Sequence, residues 1–213
     1  MAILNEENKT QLKQFLQGIV RDTTIVLFNE PGSPNGEDTE TLLSEMAELS
    51  DKLHLEVKSL SGDSELAKEY GVYKAPGYVL LNDKKEFTRV RFLGVPLGHE
   101  INSLLSALIE VGGNPEPMPA AMLERVKKID KPVDIKVFVT LGCPHCPGAV
   151  QKAHALALAN PLIQAEMVEA QSFPDLSQQY GVGAVPHTVF NGGAESVIGN
   201  YPFDEFISKA ETA

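Results

Sequence analysis

The feature that most restricts the fold is an internal repeat. Leu66-Ala67-Lys68-Glu69-Tyr70-Gly71-Val72-Tyr73-Lys74-Ala75-Pro76 aligns without a gap on Leu176-Ser177-Gln178-Gln179-Tyr180-Gly181-Val182-Gly183-Ala184-Val185-Pro186, 110 residues further on. The same offset places Phe28 on Phe138, Gly32 on Gly142, and Ser33-Pro34-Asn35-Gly36 on Cys143-Pro144-His145-Cys146. Features in register at one offset mark a duplicated unit. A chain of 213 residues accommodates two such units, each long enough to bury a core. Gly112-Gly113-Asn114-Pro115-Glu116-Pro117-Met118-Pro119 breaks regular structure and predicts the linker. Residues 1–115 are therefore expected to form one domain and residues 116–213 the other.

Both copies read in the same order: helix, apolar strand, turn, helix, strand, short helix, hairpin, closing helix. In the first copy the pattern predicts helices over about 6–21 and 37–53, with Leu42, Leu43, Met46 and Leu49 at helical spacing. Its strands are predicted over about 24–28, 55–60, 78–81 and 87–92. In the second, Ile135-Lys136-Val137-Phe138-Val139 reads as a buried strand and the stretch after Cys146 as a helix. The fold class is α/β, with mixed sheets flanked by helices.

The only two cysteines, Cys143 and Cys146, fall at the strand-to-helix turn of the second copy. Free N–H groups and the positive end of the helix dipole favour a thiolate there. In Cys-x-x-Cys motifs this lowers the nucleophile's pKa from about 8.5 to roughly 3.5–7.5. Protonated His145 would favour the Cys143 thiolate further. The spacing also suits half of a zinc site, but that needs two more ligands. No second cysteine pair exists, and His54, His99, His154 and His187 are scattered. As a structural bridge the pair would close too short a loop to stabilise a chain this long. The pair reads as a redox dithiol, with no metal and no bound cofactor expected. The first copy has Ser33 and Gly36 in place of sulfur.

Net charge is −11 and the isoelectric point near 4.9, which argues against nucleic acid and anionic membrane surfaces as partners. The N-terminal stretch lacks the basic-then-apolar pattern of a signal peptide, and no apolar run is long enough to span a bilayer. A cytoplasmic location is expected, where a lone cysteine pair is catalytic rather than structural.

Strand, Cys-x-x-Cys, helix, then Val185-Pro186 before a strand resembles the thioredoxin fold. Two such folds in tandem resemble the protein disulfide oxidoreductases of thermophiles, and still more the N-terminal domain of the alkyl hydroperoxide reductase flavoprotein. Leu43-Ser44-Glu45-Met46-Ala47-Glu48-Leu49-Ser50-Asp51-Lys52, Pro96-Leu97-Gly98-His99-Glu100 and Gly112-Gly113-Asn114-Pro115 carry the second likeness. The sequence departs from that relative in placing Pro144-His145 between the sulfurs, and no Gly-x-Gly-x-x-Gly of a dinucleotide-binding domain occurs. The resemblance implies a cis Pro186 facing the dithiol, with the Val185 main chain pairing with substrate and His187 and Pro144 lining the groove. It implies Glu100 as a buried base for Cys146. It further implies electron transfer from a flavoprotein disulfide reductase to a peroxiredoxin or another protein disulfide. A glutaredoxin-like enzyme, or one that forms or reshuffles disulfides, is the alternative.

Overall fold

The computed structural model describes residues 2–213. The chain forms two compact units, one of Met1–Val95 with Leu104–Glu116, the other of Pro96–Ser103 with Pro117–Ala213. The segment Pro96–Ser103 thus groups with the unit that holds the cysteines.

In the first unit, β1 (Thr23–Asn29) is a run of β-branched and aromatic residues buried along nearly its whole length. It pairs in parallel with β2 (Leu53–Ser59) and antiparallel with β3 (Gly77–Leu81). The strand β4 (Phe87–Leu93) completes the order β2-β1-β3-β4. The helices are α1 (Glu6–Leu16), α2 (Gly36–Ala47), α3 (Ser64–Glu69) and α4 (Ile101–Val111), the last entered through a 3-10 turn at Gly98–Glu100. One core cluster joins Val26, Phe28, Ala67, Val72, Val79 and Leu81. Tyr70 closes it by packing against Phe28 and Phe87 at ring separations of 6.3 and 5.2 Å.

The second unit repeats the arrangement. Here β5 (Val133–Val139) lies parallel to β6 (Ile163–Glu169) and antiparallel to β7 (His187–Phe190), and β8 (Glu195–Ile198) completes the order β6-β5-β7-β8. Its helices are α5 (Ala120–Lys127), α6 (Cys146–Ala159), α7 (Pro174–Gln179) and α8 (Phe203–Thr212). The repeat is legible in the packing: Phe138 meets Tyr180 at 5.4 Å, as Phe28 meets Tyr70. The matched phenylalanines are fully buried, and the matched tyrosines, half-buried, pack against them.

Two helices are shorter than their sequence pattern. The first ends at Leu16, because Val20 and Arg21 turn away to donate their N–H groups to Gly112 O. The second ends at Ala47, because Leu53 is already paired with Thr23 in the sheet. Sheet pairing overrides the helical spacing of the apolar residues there. Among the described residues, no helix is long and apolar enough to cross a membrane.

Candidate functional site

The last residue of β5 is Val139, and four residues later the chain reaches Cys143, whose N–H donates to Thr140 O at 3.1 Å. The helix α6 begins at Cys146 with Pro147 in its first turn, where a missing N–H costs nothing. The two cysteines form a disulfide with a Cα–Cα distance of 5.5 Å. Their exposure differs. Cys143 keeps 9% of its surface and Cys146 none. The cysteine in the turn thus retains a little exposed surface, whereas the one in the helix is wholly enclosed. Pro144 and His145, between them, are exposed, and His145 takes the position preceding the helix with no side-chain capping bond.

The Val185–Pro186 peptide is cis. Val185 is half-buried, and its main chain makes no hydrogen bond among the described residues, while Pro186 O accepts from Gly199 N at 2.8 Å. Phe138 opposes His187 across β5 and β7, so the Val185 main chain lies where β5 leads into the cysteine turn. His187 itself is 6% exposed, with Nδ1 lacking a hydrogen-bond partner. Burial lowers its pKa below the usual histidine value, so His187 is an enclosed residue rather than an exposed groove wall.

The 3-10 turn Gly98–Glu100 is tied to the same loop. His99 N donates to Leu141 O at 2.9 Å. Gly98 has φ +59°, and a Cβ there would run into that same carbonyl oxygen, so glycine is required on both counts. The turn delivers Glu100 to a fully buried position. Ser103 Oγ donates to Glu100 Oε2 at 2.6 Å, and Oε1 has no partner. Burial pushes the Glu100 carboxyl up to about 7, with Glu169 adding to the rise and the Ser103 bond opposing it.

Several residues at the site are missed by sequence reasoning. Asn200 caps the exposed approach to α6: a Cβ on Gly148 would meet its side chain, and Lys152 Nζ donates to Asn200 Oδ1. Ile198 and Tyr201 flank that residue, 54% and 52% exposed. No motif spacing marks them: β7–β8 pairing sets Ile198 opposite His187, and the bond from Gly199 N to Pro186 O brings the residues that follow to that end of the sheet. Glu169, 2% exposed at the end of β6, is the other. The 110-residue offset could have found it, since it pairs Glu169 with Ser59 of the copy that lacks sulfur.

A Cys-x-x-Cys disulfide at the start of a helix, followed by a cis-proline before a strand of the same sheet, defines a thioredoxin-fold thiol–disulfide oxidoreductase. The Thioredoxin domain family matches residues 133–211. The crystal structure of the N-terminal domain of the alkyl hydroperoxide reductase AhpF from Enterococcus faecalis is similar at 31% identity, with a TM-score of 0.87, over 96% of this chain and 98% of that one. A protein disulfide oxidoreductase from Aeropyrum pernix is similar at 28% identity and the same TM-score of 0.87, over 99% of this chain and 94% of that one. The alkyl hydroperoxide reductase AhpF of Escherichia coli is 30% identical over 99% of this chain. The chain therefore belongs to the family of tandem thioredoxin-like folds represented by the N-terminal domain of AhpF. It spans 38% of the length of the Escherichia coli protein.

Proposed function

We propose that the chain relays electrons by thiol–disulfide exchange, from a flavoprotein disulfide reductase to the disulfide of a peroxiredoxin or another protein. The observation that carries this reading is the unequal exposure of the two sulfurs at the N-terminus of α6. In the reduced protein, the Cys143 thiolate attacks a partner disulfide; a mixed disulfide forms and the first partner thiolate leaves. The Cys146 thiol passes its proton to Glu100 and attacks Cys143 Sγ. The Cys143–Cys146 disulfide forms, and the second partner sulfur leaves and takes up the proton. One disulfide is reduced as one dithiol is oxidised. The reductase restores the dithiol by the reverse exchange, and the cysteine pair itself is the electron carrier. The Val185 main chain holds the partner's extended segment beside the sulfurs, with Pro186 and Pro144 bordering it.

The likeness to the Aeropyrum pernix oxidoreductase favours a second reading, a general protein disulfide oxidoreductase of broader substrate range. Both are tested by NADH- or NADPH-driven reduction of a peroxiredoxin and of insulin through a separate flavoprotein reductase. Preferential turnover of the peroxiredoxin supports the relay and equal turnover the broader enzyme. Turnover supported only by glutathione contradicts both and indicates a glutaredoxin-like enzyme.

A further inference from the structure

We propose that Glu169 is a positioning residue for this relay, a buried negative charge placed at the base of the cysteine turn to hold the proton at Glu100. The inference rests on the reading of Glu100 as the proton acceptor for Cys146.

Glu169 ends β6 directly opposite Val139, the residue at which β5 gives way to the cysteine turn. An acidic side chain 2% exposed in that place calls for an explanation. Part of it is local: Oε1 accepts from Gln171 N at 3.2 Å and Oε2 from Ser172 N at 2.6 Å. Those bonds fix the carboxylate, and the first unit ties its own turn with a carboxylate too, but from a different place: Glu30, only half-buried just past β1, accepts from Ser61 N and Ser59 Oγ. In the first unit the matching position opposite Asn29 is Ser59, and that strand also ends in an ordered turn, with Ser59 Oγ accepting from Gly62 N at 2.9 Å. The buried carboxylate therefore occurs only in the copy that keeps its sulfurs. Glu100 reaches the same end of the sheet through the bond of His99 to Leu141. The groups acting on Glu100 are Glu169 from β6 and Ser103 from the first turn of α4, with the dithiol of α6 as the pair it serves. Glu169 raises the proton affinity of Glu100 in addition to burial.

A like charge disfavours ionisation of its neighbour, so Glu100 binds the Cys146 proton more firmly with Glu169 present. Removing the charge should make Glu100 a weaker base and shift its titration toward acid. The test is stopped-flow oxidation of the reduced protein by 5,5′-dithiobis(2-nitrobenzoate). The first thionitrobenzoate released reports attack by Cys143, and the second reports resolution by Cys146. In Glu169→Gln the pH midpoint of the second phase should fall by roughly half a unit or more, with the first phase unchanged. Glu169→Asp, which keeps the charge, should restore the wild-type midpoint. Glu169→Ser, the residue of the first copy, is the second neutral variant should the glutamine protein not fold. A wild-type midpoint in the neutral variants, or an equal shift in Glu169→Asp, would overturn the proposal. Glu100→Gln separates the two readings. If it leaves the second phase as pH-dependent as in wild type, the role of Glu100 itself fails. If it flattens that profile while the Glu169 variants shift nothing, only the role of Glu169 fails.

Discussion

Cys143 and Cys146 carry the same chemistry in different surroundings, and the difference in burial supports the roles proposed for them. An attacking sulfur needs a free approach, whereas a resolving sulfur is protected when only its neighbour can reach it. Replacing Cys143 with serine should abolish adduct formation with a disulfide partner. Replacing Cys146 should leave the adduct formed and unresolved, visible as a band lost on reduction in a denaturing gel. Glu100 connects to stability as well. Its carboxyl is raised to about 7, so between the unfolded value near 4.5 and 7 the folded protein binds more protons than the unfolded chain. The associated stabilisation is complete below about 4.5 and is lost as pH rises through 7. Glu110, raised to about 7 by burial and then Glu116, adds a slope of the same sign. Thermal unfolding should therefore occur at a lower temperature at pH 8 than at pH 6, and Glu100→Gln should reduce that difference. The cysteine pair was legible in the sequence because its spacing is local. Glu100 was legible only through a family likeness, and Glu169 only as a mismatch with Ser59 at the repeat offset, because strand pairing and burial give a carboxylate its chemistry and neither is written in adjacent residues.

At the scale of elements, the two turns show how one fold is kept with and without sulfur. In the first unit Asn29 Oδ1 accepts from Ser33 Oγ at 2.7 Å and from Glu30 N at 3.0 Å, while Asn29 Nδ2 donates to Gly36 O and Glu40 Oε2 at 3.1 Å each. A Cβ on Gly36 would meet both Ser33 Oγ and Asn29 Oδ1. The hydrogen-bonded side chains occupy the space that Cys146 fills in the other copy, where Val139 stands in place of Asn29. The double variant Ser33→Cys, Gly36→Cys should therefore be less stable than wild type, by about 1–3 kcal/mol, and form its disulfide incompletely. Adding Asn29→Val should recover the bridge; thiol titration under oxidising conditions and the Tm check both statements. The Gly98 turn gives a matching expectation in the second unit. Gly98→Ala forces an L side chain into a left-handed conformation against Leu141 O, and should cost about 2 kcal/mol or more. It should also slow the resolving step, since the same turn carries Glu100. Strand order and turn placement were readable from the repeat, whereas helix ends were not. The periodicity of α1 and α2 continues past the points where other elements claim the chain.

For the whole molecule, duplication is the organising fact. Two units with the same strand order and a matching Phe–Tyr pair differ at the turn that leads into α2 or α6. Core positions are shared because packing constrains them equally, and the site residues diverge because only one copy performs exchange. The carboxylates held low by partners, Asp22 beside His54 and Lys52, Glu30 by the Ser61 and Ser59 groups, Glu195 by Lys209 and Glu211 by Arg125, lend stability that is lost as pH falls through their lowered values. Together with Glu100 and Glu110, whose contribution declines from about pH 4.5 upward, they place the expected stability maximum near pH 4.5. The central claim, relay through one live copy, is tested most directly by NADH-driven peroxiredoxin reduction through a separate flavoprotein reductase. Wild type is compared there with Cys143→Ser, Cys146→Ser and Ser33→Ala. The account predicts turnover that either cysteine substitution abolishes and that Ser33→Ala leaves intact. Turnover that survives loss of Cys143, or depends on Ser33, would contradict it.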